Sequence, residues 1–237
     1  IVRPGLPGRQ RLLSDGGAMT SAPMTAQLLA TAAGALLLTA VLLLWRRSIA
    51  GAAGLLAVQG MALAGLSTAA ATEGEPVLYA LAPLLALIKA AVIPALIWRG
   101  ARDPDAGTEA SPVVNPTTGM LLAAALTTVA FLVGTPVASA TARSTGAATP
   151  VGLAVVLIGF LMLATRRQAL GQIIAFVVVD NGIGATATLA GGGLPAIIEI
   201  GVLFDVLLVV VILLVLTRRI RRVLPLPDIS RLNELRD

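Results

Sequence analysis

Seven long apolar blocks set the limits on what this 237-residue chain can become. They run over about 27–45, 50–71, 77–98, 118–139, 149–165, 170–190 and 196–217. A helix crossing a hydrocarbon layer of about 30 Å needs roughly 20 such residues. The blocks therefore predict an all-α polytopic membrane protein with about seven transmembrane helices. Composition agrees: 57% of residues are hydrophobic and 12% charged, about half the charge of a soluble domain. The predicted organisation is an N-terminal tail without regular structure (1–25), helices 1–3 (26–99), a loop rich in Pro, Gly and acids (100–117), helices 4–7 (118–219), and a C-terminal tail (220–237).

Arginine placement predicts the orientation. Arg46 and Arg47 follow the first block, Arg99 and Arg102 the third, Arg166 and Arg167 the fifth. Arg218, Arg219, Arg221 and Arg222 follow the seventh, with Arg231 and Arg236 beyond them. The loops on the other side carry Arg143, Glu73 and Glu75. Basic loops stay in the cytoplasm, so the C-terminus and the 100–117 loop are expected there and the N-terminus outside. Arg3, Arg9 and Arg11 in the leading stretch run against this rule. That stretch is not expected to be a signal peptide, because the next apolar block lacks a small-residue cleavage site and has arginine after it. The net charge of +5 belongs to span flanks, so nucleic acid is not an expected partner. The lipid bilayer is.

The chain has neither Cys nor His. Iron–sulfur clusters require thiolates, and haem and zinc sites usually require imidazole. No cofactor, metal centre or catalytic residue is expected in this chain, and any redox chemistry belongs to a partner.

Four ionisable residues interrupt the apolar blocks: Lys89, Asp180, Glu199 and Asp205. Lys89, Asp180 and Asp205 fall near mid-span on three different helices. Asp205 lies about nine residues, or about 14 Å, into the seventh. Charges at that depth are costly, face a bundle interior or a hydrated path, and mark ion or proton routes. Glu199 lies nearer the outer surface, either as a carboxylate favoured by a helix N-terminus or as an exit station. Glu199 and Asp205 are about 120° apart around one helix, so they address different faces. Lys89 is either a static partner for Asp180 or Asp205 or a proton-exchanging group. Pro83 and Pro94 flank it, each removing a backbone hydrogen bond and bending the helix. After Asp180 the chain continues NGIGATATLAGGG, which suits either a hydrated seam or close helix packing. Pairs four apart on the second helix, Gly60 with Ala64 and Ala53 with Ala57, predict small-residue packing.

Several segments carry a resemblance. RRQALGQI precedes the sixth span, Asp180-Asn181-Gly182 lies within it, and EIGVLFD runs from Glu199 to Asp205. RRIRR and DISRLNELRD follow, and LIKAAVIPALI surrounds Lys89. Together they resemble hydrogenase-4 component E, a membrane subunit of formate hydrogenlyase-type and other group 4 hydrogenase complexes. The C-terminal third is more distantly similar to the three-helix K subunit of respiratory complex I, whose two intramembrane acids are glutamates. Asp205 falls where the last-helix glutamate would sit and Asp180 about one helical turn from the other; both acids here are the shorter aspartate, so water would have to bridge more of the gap between them.

The resemblance implies a non-catalytic subunit of a complex I-like membrane arm in the cell inner (plasma) membrane. Its partners would be antiporter-like subunits and a membrane anchor subunit, and through them a peripheral redox arm. Lys89, Asp180, Asp205 and Glu199 would then serve proton translocation or its coupling to electron transfer. A purely structural scaffold is the alternative. A stand-alone secondary transporter is a weaker one, since no inverted repeat is visible.

Overall fold

The structure, a computed structural model, describes residues 24–72, 77–102, 114–140, 144–191 and 196–223. The expected N-terminal tail, most of the 100–117 loop and the C-terminal tail lie outside these residues. So do the side chains of Glu199 and Asp205.

Among the described residues the regular structure is helical throughout: α1 Met24–Trp45, α2 Ile49–Ala71, α3 Val77–Leu85, α4 Ile93–Ala101, α5 Pro116–Ala140, α6 Thr149–Thr165, α7 Ala169–Gly191 and α8 Ala196–Val223. A π-helical segment, Ala86–Val92, joins α3 to α4, so these three pieces form one span from Leu78 to Ala101. Six helices have the length and apolarity to cross a membrane, and Val206–Thr217 of α8 forms a shorter apolar run. The chain is an all-α, multi-pass membrane protein. The helices match the seven apolar blocks in order.

Local chemistry explains where they begin. Ser48 caps α2 by accepting a hydrogen bond from the Gly51 N–H at 3.3 Å, satisfying an orphan donor of the first turn. Proline opens α5 at Pro116 and lies in the first turn of α6 at Pro150, where its missing N–H has no intrahelical partner to lose. Pro94 differs: it lies inside a continuous span, where its missing N–H leaves a gap in the ladder as the π segment passes into α4.

The helices α2 and α7 form the centre. α2 packs on α1, α3, the π segment, α4 and α7, and α7 packs most closely on α6. α5 lies outside α6 and α1, while α8 rests on α7, α3 and α4. Lipid gives apolar side chains no reason to leave it, so close packing comes from small residues. A Cβ on Gly182 would come 2.6 Å from the Val156 nitrogen, and one on Gly159 would come 2.8 Å from the Val179 nitrogen. One on Gly152 would meet the Thr186 nitrogen at 2.7 Å. Glycine therefore lets α6 and α7 touch backbone to backbone. For Gly182 and Thr186, of the two readings of NGIGATATLAGGG, close packing is the one observed. On α2, Gly60, Ala53 and Ala64 are buried as the spacing predicts, whereas Ala57 is half-buried.

Candidate functional site

The Leu78–Ala101 span departs from α-helical geometry around its charge. Pro83 and Pro94 stand on either side of the π segment, and Lys89 is its central residue. The N–H of Ile93 reaches back five residues to the Ile88 carbonyl, and Pro94 has no N–H with which to continue the ladder. Such segments are rare, close each hydrogen bond one residue wider than an α-helix and are frequent at functional sites. Against this segment lies Gly60 of α2. A Cβ there would come 2.5 Å from the Lys89 carbonyl carbon and 2.6 Å from the Ala90 nitrogen. Only a bare backbone fits beside the widened turn.

Lys89 and Asp180 are brought together. Lys89 Nζ donates to Asp180 Oδ2 at 2.6 Å, and the two residues are 4% and 7% exposed. Each lies about 17 Å from the start of its span at 1.5 Å per residue, so the pair sits at mid-length of the bundle. It is the salt bridge found among the described residues. Gly184, one turn after Asp180, leaves its flank bare beside the ammonium; a Cβ there would lie 3.8 Å from Lys89 Nζ.

A second set of polar groups continues at the same level. Asn181 Nδ2 donates to Gln59 Oε1 at 3.0 Å, and Gln59 Nε2 donates to the Leu36 carbonyl at 3.4 Å. Asn181 and Gln59 are fully buried. Adjacent residues on a helix point about 100° apart, so Asp180 serves the π segment while Asn181 serves α2. Helices α1, α2 and α7 and the π segment are thereby tied at one depth. Among the described residues Asn181 Oδ1 is buried without a hydrogen-bond partner, an acceptor held one residue from the ion pair. Sequence reasoning missed Gln59. A neutral amide in an Ala- and Gly-rich span gives no charge signal, although a lone glutamine in such a span is itself a mark of burial.

The sequence presents Arg166 only as a charge flanking a span. It is 4% exposed and its Nη2 donates to the carbonyls of Leu43 and Arg46, satisfying acceptors at the end of α1. Burial pushes its guanidinium below the ordinary arginine value.

Of the two acids on α8 only the backbone is described. Helical register sets position 205 about 60° from Leu208 and about 20° from Ile212, both of which are exposed. The packed ridge of α8, formed by Leu203, Val206, Val210 and Leu214, lies about 145° away. No group of three or more metal-ligating side chains occurs among the described residues.

Chemically, the pair sets a buried ammonium donor against a buried carboxylate acceptor. In a low-dielectric interior their attraction is strong and the cost of separating them is high. Removing either partner would leave an uncompensated charge in the bundle interior.

No protein-family model matches the chain, and no solved structure matches it. It is 26% identical over 150 residues to hydrogenase-4 component E of Escherichia coli K12, covering 63% of this chain and 69% of that protein. The same figures hold for hydrogenase-4 component E of Shigella flexneri. It is 39% identical over 208 residues to the uncharacterized protein Rv0085 of Mycobacterium tuberculosis, covering 87% of this chain and 94% of that protein. At that identity and coverage, the chain belongs to the family of Rv0085.

Proposed function

We propose that this chain is a non-catalytic integral subunit of a hydrogenase-type, complex I-like membrane complex, and that its Lys89–Asp180 pair takes part in moving protons or in coupling their movement to electron transfer. The distant similarity to hydrogenase-4 component E supports the assembly. The single observation carrying the proton role is a buried, closed ion pair seated on a π segment at mid-span. A group that can gain or lose its partner is what a proton route needs, and Asn181 Oδ1 supplies an open acceptor beside it. The arginine-rich end would face the cytoplasm. Asp205 and Glu199 would continue the route on α8, with position 205 on the side that a neighbouring subunit would cover. That neighbour would be an antiporter-like or anchor subunit linked to the redox arm.

The test is Asp180→Asn in the assembled complex. Redox turnover should continue at a reduced rate with proton translocation lost, and Asp180→Glu should restore it. Unchanged translocation in a fully assembled Asp180→Asn complex would remove the proton role.

One observation favours a second reading, in which the pair is only a tie. The ion pair and the Asn181–Gln59–Leu36 chain together clasp four segments at one level. A scaffold predicts that Asp180→Asn weakens assembly while the complexes that survive still translocate normally.

A further inference from the structure

The groove where α1 passes into α2 has no part in the ion pair. It encloses about 640 Å³ and is lined by Leu42, Trp45, Arg46, Arg47, Gly54 and Val58 among others. That volume lies within the range of small-molecule sites. We propose that it binds an anionic phospholipid, with the phosphate held by Arg46 and Arg47 and the upper acyl chain laid along α2.

The position sets the class of ligand. α1 ends at Trp45 and α2 begins at Ile49, so the mouth of the groove lies at a membrane boundary. Trp45 is exposed there, the side chain favoured at headgroup level. From the mouth the wall descends to Val58, about 14 Å along α2. Inorganic phosphate would use only the mouth, whereas a phospholipid uses the whole length.

Charge complements the position. Arg46 and Arg47 are both exposed, and among the described residues neither forms a salt bridge. Basic pockets between spans recruit lipid phosphates in this way. Arg167 and the buried Arg166 lie just beyond α6, and Arg166 is bonded to the Arg46 carbonyl, so the local field is strongly positive. Two glycines shape the groove. The Arg46 guanidinium lies across the bare backbone of Gly51, which directs it over the mouth. At Gly54 a Cβ would meet nothing within 4 Å, so the floor there is open.

The full chain is purified in a nonionic detergent and given phosphatidylglycerol or phosphatidylcholine at equal concentration, and retained lipid is read by native mass spectrometry. Phosphatidylglycerol should be retained at least about tenfold more than phosphatidylcholine, and millimolar inorganic phosphate should not displace it. Arg46→Gln with Arg47→Gln should lower retention about thirtyfold, from about 1 kcal/mol for each basic residue. Gly54→Leu keeps both charges, enters open space without clash and fills the floor; it should lower retention about tenfold. Arg219→Gln, at the far end of α8, should leave retention unchanged. Equal retention of the two lipids overturns the proposal, as does undiminished phosphatidylglycerol binding in either groove variant. Displacement by inorganic phosphate also overturns it, since the site would then be a phosphate site and not a lipid site.

Discussion

Helices α7 and α8 are neighbours in sequence and both are long and apolar, yet they occupy opposite situations. α7 is buried on most of its circumference and carries Asp180 and Asn181 into the centre. α8 packs through one ridge, Leu203, Val206, Val210 and Leu214, and leaves Phe204, Leu208, Ile212 and Val215 open. The inner helix is the less greasy of the two: NGIGATAT follows its acid, while α8 runs VLLVVVILLVL. In water the more apolar face turns inward. In lipid that drive is absent, and small and polar residues mark the interior.

The sharpest way to break this contrast is at Asp180. Asp180→Leu leaves the Lys89 charge buried without a partner, and should destabilise the isolated subunit by about 3–5 kcal/mol. Adding Lys89→Met should recover most of that loss, because two apolar groups replace a matched pair. Thermal unfolding in detergent measures both variants; a single variant as stable as the wild type would mean that the centre tolerates an unpaired charge. A smaller effect is expected at the α6–α7 seam. Gly182→Leu must displace the Val156 backbone and should cost about 1–3 kcal/mol, read as a lowered unfolding temperature and easier protease cleavage. Gly34→Ala, which enters open space, serves as its control. The smallest effect is expected on the open side of α8. Leu208→Ala should change the stability of the isolated subunit by less than about 0.5 kcal/mol. A loss several times larger would show that α8 is buried on that face too.

Those differences also mark what the sequence could disclose. All seven helices were legible because bilayer thickness imposes a length that apolar runs display directly. Lys89 and Asp180 were legible as residues, since a charge in hydrocarbon stands out against its surroundings. Their pairing was not, because three mid-span charges at similar depth admit several partners and only the packing of α7 against the π segment chooses one. The two prolines announced a disturbed helix, but neither dictates whether the backbone bends or widens. Gln59 and the capping role of Arg166 were hidden for the same reason. Each acts on a backbone or side-chain group distant in sequence, and local pattern contains nothing about that group.

The ion pair also has a history in time. Lys89 and Asp180 are separated by 91 residues. At about 5–20 residues per second, a ribosome would finish the lysine-bearing span on the order of ten seconds before its counter-charge emerged. A lysine at a helix centre opposes insertion by about 2.5–3.5 kcal/mol, so the Leu, Ile and Val residues of LIKAAVIPALI must carry the span into the bilayer unaided. During that interval the ammonium lacks its carboxylate partner, and the arrival of α7 supplies it. The order of synthesis thus makes the apolar residues around Lys89, and not its ion pair, the condition for inserting that span.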